Sequence, residues 1–224
     1  MLAWRVQFTS RNRQETGMRG MTARAMVATA VVLLAGGAAQ ARRTWLSFAP
    51  EQTAVTAGGG VASFSGATMR ANTRLGADWD ARVTFGTRAP LALEAGYTGL
   101  YNSLGSGGAA TAAPYIVQSS VDGVVRINLI PYRVQPYIFG GVGYNHVRVY
   151  NRDQDPEMAA RFKASDDQVM IPVGGGLAGY FGQHATVDAR FTYRAMFHDE
   201  LMIDAPANAR SDSYTIAARA GYAF

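Results

Sequence analysis

The feature that most constrains this chain is strict two-residue alternation, which recurs after Arg43 in segments of about ten residues separated by turn residues. No helical period of 3.6 persists anywhere in that stretch. The last segment is the clearest: Tyr214, Ile216, Ala218, Ala220, Tyr222 and Phe224 share one face, and Thr215, Ala217, Arg219, Gly221 and Ala223 the other. Successive side chains of a strand point to opposite faces, so each such segment separates two environments of different polarity. Four more segments repeat the pattern. Their apolar faces run through Ala77 to Phe85, Leu91 to Tyr97, Val117 to Leu129 and Ala185 to Phe197, opposed by polar faces that carry the charges. Three Gly-rich segments, Ala54 to Phe64, Val134 to Tyr150 and Gln168 to Phe181, bring the count to eight strands, although their faces cannot be assigned.

Alternation alone suits a soluble barrel with an apolar cavity equally well, so the polarity of the barrel needs its own argument. Soluble surfaces mix Lys, Arg, Asp and Glu, yet the only Lys here is Lys163, in an expected loop. The strand charges are Asp78, Asp80, Glu94, Asp122 and Asp188 against Arg82, Arg126, Arg190, Arg194 and Arg219. Five acids facing five arginines suit an interior in which each charge needs a partner, and the planar guanidinium can bind a carboxylate at two points. An eight-stranded barrel is just wide enough to be filled by side chains. These ten residues are therefore read as an interior ion-pair plug, with a solvated polar face as the alternative. The outward faces of the five clear strands carry no charge, as contact with hydrocarbon requires.

Connections alternate in length. Short turns are expected at Thr87–Pro90, Pro131–Arg133 and Gly182–His184, and long loops near Ser65–Leu75, Asn102–Pro114, Asn151–Asp167 and Asp199–Asp212. That is the up-and-down meander of an antiparallel transmembrane β-barrel, with short turns and both ends of the mature chain on the periplasmic side. Aromatics fall into two girdles: Trp79, Tyr97, Tyr101, Tyr115, Phe197 and Tyr214 toward the outer rim, and Phe85, Phe181, Tyr222 and Phe224 toward the inner one.

Met21 to Ala41 has a basic start, a short apolar core and Ala39-Gln40-Ala41 as a cleavage site, the form of a secretory signal peptide. The uncharged stretch from Ala25 to Ala41 is too short and too rich in Gly and Ala for a spanning helix. Residues 1–41 are thus read as an N-terminal extension and signal peptide, with Met18 or Met21 as candidate starts, and residues 42–224 as one outer-membrane barrel domain. The net charge of +5 belongs mainly to the removed part. From Arg42 onward, 16 basic residues face 15 acidic ones, so a nucleic-acid partner has no support. The chain has no Cys, which excludes disulfides and thiolate metal sites.

Together with the strand count, Pro136-Tyr-Ile-Phe-Gly-Gly-Val-Gly-Tyr144 and the terminal Ala220-Gly-Tyr-Ala-Phe224 resemble the OmpA-like outer-membrane β-barrel family across roughly residues 42–224. The resemblance implies that Tyr222 and Phe224 form the signal read by the barrel-assembly machinery. It also implies a monomer in contact with outer-membrane lipid. Related barrels serve as anchors, adhesins, narrow channels or lipid enzymes, so function stays open among them. The first reading is a non-enzymatic envelope component or a scaffold whose surface loops bind an external ligand, the second a narrow channel, and the third a lipid-modifying enzyme.

An enzyme would need a nucleophile and a base at the outer rim. The rim histidines are His146 and His198, and Ser103 and Ser106 lie in a Gly-rich loop without a motif. Asp153, Asp155, Glu157, Asp166 and Asp167 lack the spacing of a calcium loop and are interspersed with Arg152, Arg161 and Lys163. Gly58–Gly60 and Gly174–Gly176 are not followed by the Lys-Ser/Thr of a phosphate loop. No cofactor and no metal are expected. N-terminal sequencing of protein purified from outer membranes should begin at Arg42, and recovery of intact Met1 would refute export by this signal.

Overall fold

The computed structural model describes residues 52–105, 113–130, 132–182, 184–198, 201–203 and 210–224. The signal segment with Ala39 and Ala41 lies outside them. The strands are β1 (Thr53–Phe64), β2 (Gly76–Phe85), β3 (Leu91–Ser103), β4 (Tyr115–Asn128), β5 (Val134–Tyr150), β6 (Ser165–Phe181), β7 (Ala185–Phe197) and β8 (Ser213–Ala223). Each pairs antiparallel with the next, and β1 returns to β8 from Ala54↔Ala223 to Phe64↔Ser213, closing the barrel. Closure gives every strand two hydrogen-bonded neighbours, the condition for strands to cross hydrocarbon.

The alternation reads out as expected. Along β7, Thr186, Asp188, Arg190, Thr192, Arg194 and Met196 are buried in the lumen, while Val187, Phe191 and Phe197 are exposed on the wall. The glycine-rich strands resolve too. On β5, Gln135, Tyr137, Phe139, Asn145, Val147 and Val149 point inward, and Val134, Ile138 and Val142 outward. Two boundaries differ from the sequence reading. Strand β3 runs on through Ser103, and β6 starts at Ser165 because Asp166 and Asp167 pair with Val147 and His146 instead of joining the loop. Tyr97, expected at a rim, stands at the middle of β3, opposite Ala81 and Val121. Trp79 lies flat over Gly99, where an added Cβ would come within 2.1 Å of the indole ring.

The short turns need little chain. Gly86 (φ 83°) and Gly182 (φ 60°) supply the left-handed backbone at two of them. The long-loop end is built differently, from a helix α1 (Ala67–Asn72), a short 3-10 turn (Arg152–Gln154) and a helix α2 (Pro156–Arg161). Asp155 caps α2 by accepting from the backbone N–H of Glu157 and Met158, with Pro156 as the first helical residue. Met69 of α1 and Met158 of α2 drop onto Phe64, Leu104, Ile116, Val147, Val149, Phe162 and Leu201, a buried apolar cluster across this end of the lumen. Each such side chain contributes about 1.5–3 kcal/mol when fully buried. Isolated bridges Thr73↔Leu104 and Phe162↔Met202 tie the connections to one another.

Close packing of β1 on β8 leaves no room for a side chain at Gly58 or Gly60. A Cβ at Gly60 would sit 1.9 Å from the Ile216 carbonyl oxygen, whereas one at Gly123 meets nothing within 4 Å. Gly60→Val should therefore lower the urea midpoint and folded yield sharply and Gly123→Ala should not, as read by heat-modifiable migration on gels.

Candidate functional site: a charged network across the lumen

All ten charged residues singled out from the sequence are buried inside the barrel. Alternation along their strands puts them there, and closure brings them together. Arg82 of β2 forks onto Asp122 of β4, Nη1 to Oδ1 at 2.7 Å and Nη2 to Oδ2 at 3.0 Å, and its Nε reaches Asp80 Oδ2 at 3.3 Å. Asp80 Oδ2 also takes Arg219 Nη1 at 3.2 Å. Arg219 continues to Asp188, its register partner on β7, at 2.5 Å. A second group centres on Glu94, whose Oε1 meets Arg126 Nη1 at 3.1 Å and whose Oε2 meets Arg190 Nη1 at 2.5 Å.

The last of these contacts runs between distant strands. In the closed order β3 and β7 are four strands apart whichever way the barrel is traversed, so they face each other across its full diameter. The Glu94–Arg190 pair therefore spans the lumen. On its own strand Arg190 shares the inner face with Asp188, two residues away. Its partner is instead on the opposite wall, because a guanidinium is long enough to reach the axis of a barrel this narrow.

Among the described residues, two of the ten join no ion pair. Arg194 donates to Thr215 Oγ1 at 3.1 Å and to Thr98 Oγ1 at 3.4 Å, the latter again from β7 to β3. No hydrogen-bond partner among the described residues meets either carboxylate oxygen of Asp78. Toward the short turns, Thr56, Thr84, Glu94, Arg126, Asp188 and Arg219 are among the residues that line a cavity of about 10 Å³, room for roughly one water. Toward the loops, Asn145 donates to Gln118 and Gln168, each at 3.2 Å, forming an amide layer beneath the apolar cluster.

The sequence reading missed the aromatic members of this network. Tyr137 donates its hydroxyl to Asp188 Oδ2 at 2.8 Å, and its ring lies 3.7 Å from the Arg126 guanidinium carbon. Phe139 sits 3.3 Å beneath that of Arg190. These rings hold the arginines by cation–π contact and join the two ion-pair groups into one. A signal was present, since Tyr137 and Phe139 stand two apart on a strand, but the glycines around them hid which face was inner.

The other candidates fall elsewhere. Tyr222 stacks on His184 at 4.7 Å and meets Phe224 edge-on at 5.0 Å on the outer wall, and the Phe224 N–H bonds the Thr53 carbonyl, sealing β8 to β1. The loop acids disperse: Asp155 caps α2, Asp153 pairs with Arg152, Glu157 with Arg161, and Asp167 with His146. Among the described residues no group of three or more His, Asp or Glu could hold a metal ion. Ser106 lies outside the described residues.

The sequence profile of the outer membrane protein beta-barrel domain matches residues 27–224. Among solved structures, the fold is similar to that of Neisserial surface protein A, at a TM-score of 0.54 and 13% identity, covering 77% of this chain and 97% of that one. It is also similar to Ail, the attachment invasion locus protein of Yersinia pestis, solved with the heparin analogue sucrose octasulfate. There the TM-score is 0.52 at 12% identity, over 77% of this chain and 97% of the other. No curated protein matches the chain.

Breaking a buried pair by removing one partner costs on the order of 3–5 kcal/mol, whereas replacing both by apolar groups can be nearly neutral. Arg82→Met should thus lower stability by about that amount, since it strands Asp122. The double change Arg82→Met with Asp122→Leu should recover much of the loss, and Arg194→Met should cost less than Arg82→Met. Urea unfolding of the refolded barrel reads all three.

Proposed function

Because the chain belongs to the outer membrane protein beta-barrel domain family, it resides in the outer membrane, and we propose that it acts there as a closed structural barrel whose long-loop end is a binding scaffold. The observation that carries this reading is the Glu94–Arg190 pair across the lumen diameter, backed on the loop side by the amide layer and the apolar cluster of Phe64, Met69, Met158 and Phe162. A solute would have to break buried ion pairs and then displace a packed apolar cap. Neither lumen nor cap needs catalysis, cofactor or metal for this role.

In this reading the short turns and both mature ends face the periplasm, the plug fills the interior, and the loop end that carries α1 and α2 faces outward to an external ligand. Tyr222 and Phe224 serve the barrel-assembly machinery, and the barrel works as a monomer bounded by lipid. The scaffold role is supported by how the loops are made: α1 and α2 are anchored by buried methionines, so the surface they present is fixed by packing. A rigid surface spends less entropy on binding than a loose one. Against the channel reading stand the Glu94–Arg190 pair across the lumen and the apolar cluster above it.

Planar-bilayer recordings of the folded, full-length protein should show no regular conductance steps. Stable open-channel currents in the unaltered protein would overturn the closed-lumen reading in favour of a narrow channel.

A further inference from the structure

The outer wall carries one polar row that its surroundings do not explain. Ser119 of β4 is the register partner of His146 of β5, and His146 that of Asp167 of β6. All three point outward, since their chain neighbours Gln118, Asn145 and Gln168 are buried in the lumen. His146 Nδ1 lies 2.6 Å from Asp167 Oδ1. The two side chains are 42% and 63% exposed. The Tyr97 and Ser119 hydroxyls are 3.4 Å apart, and the Tyr144 hydroxyl bonds Asp167 as well. Among the described strand residues, His146, Asp167 and the neighbouring Arg148 are the only acidic or basic side chains on the outward face.

Their height matters. Each residue of a tilted strand advances about 2.5 Å along the barrel axis. His146 stands twelve residues from the short-turn end of β5, with Ser119 and Asp167 beside it as its register partners. That places the row about 30 Å up, toward the far edge of an apolar band about 25 Å tall. Acyl esters of membrane lipids lie at that edge.

We propose that Ser119, His146 and Asp167 form a serine hydrolase site, open sideways to the membrane, that cleaves the acyl ester of a lipid in the leaflet on the long-loop side. With the Asp167 carboxylate accepting at Nδ1, the His146 proton is held there and Nε2 is left free as the base. Ser119 is the register partner of His146, and directly paired residues on adjacent strands have Cβ atoms about 4.5–5.5 Å apart, so in this proposal the Ser119 hydroxyl turns to Nε2 when substrate binds. The Tyr97 hydroxyl beside Ser119 is placed to donate to a developing oxyanion.

In the first step Ser119 Oγ bonds the ester carbonyl carbon while its proton passes to His146 Nε2. The bond to the glycerol or sugar oxygen then breaks, and that oxygen leaves with the proton. A water next attacks the acyl-serine and gives its proton to His146. The Oγ–carbon bond breaks, Ser119 recovers a proton, and a fatty acid is released. The site lies on the outer wall and is independent of whether the lumen conducts.

The test uses the full-length barrel in nonionic-detergent micelles containing either diacylphosphatidylethanolamine or lipid A, with released fatty acid measured. In parallel, a hexadecyl sulfonyl fluoride probe is read by intact mass. The expected result is fatty-acid release from at least one lipid and a single adduct on Ser119. Ser119→Ala should abolish both, His146→Ala should slow release by about 10³-fold or more, Asp167→Asn should slow it by at least about 10²-fold, and Ser103→Ala should leave it unchanged. Heat-modifiable migration confirms that each variant is folded. Folded unaltered protein that releases fatty acid from neither lipid, or release that survives Ser119→Ala, would overturn the proposal.

Discussion

Everything in this molecule depends on the hydrogen-bonded seam between β1 and β8. Without water in the hydrocarbon, an unpaired strand edge leaves a row of backbone groups unsatisfied at several kcal/mol each, so the sheet must close. Closure at eight strands sets the diameter, and the diameter decides what the interior can be. It is too narrow for a water-filled pore and wide enough that opposing side chains meet at the axis. The glycines of β1 belong to the same constraint. Gly58 and Gly60 face carbonyls and Cα atoms of β8 at distances that exclude any Cβ, so at these two positions the close approach of the strands needs a residue without a side chain.

The filling of that interior follows from which way each strand is turned. Because the wall must be apolar, the polar half of every alternating strand goes inside, and the charges there need partners close by. Arginine meets that need through its reach and its fork, since Arg82 bonds two carboxylates at once and Arg190 crosses the barrel. Tyr137 and Phe139 supply what carboxylates cannot, flat faces against which guanidinium groups stack while remaining in the network. The apolar cluster at the loop end then covers a polar interior, reversing the usual order of a soluble domain.

How much of this was legible in the sequence depended on contrast between faces. In β2, β3, β4, β7 and β8 polar residues alternate with apolar ones, so the strands, the burial of the ten charged residues and the topology could all be read. In β5 and β6 the contrast disappears. Glycines occupy both faces, and near the loops the inner face is itself apolar, with Val147, Val149 and Met170 buried, while His146 and Asp167 face out. Rules that assign polar residues to the lumen fail there for a physical reason, since the lumen changes character along its axis. Pair partners were beyond reach for another reason. Asp188 is the nearest acid to Arg190 in sequence and on the same face, yet Arg190 bonds Glu94, 96 residues away. Only the order of closure brings β3 opposite β7.

The same dependence on closure governs how the barrel assembles. The adjacent-strand pairs, Arg126 with Glu94 and Arg219 with Asp188, can form as hairpins associate. The diametral contacts, Arg190 to Glu94 and Arg194 to Thr98, require both halves of the wall to stand at their final separation. An open sheet would leave these guanidinium groups without their acceptors, and insertion into lipid would then expose charge to hydrocarbon at about 2–4 kcal/mol per residue near the midplane. Closure of the β1–β8 seam and completion of the lumen network are therefore mutually reinforcing. Partly closed forms lose on both the backbone and the side-chain side, which makes the barrel a single cooperative unit even though its chain is a simple meander.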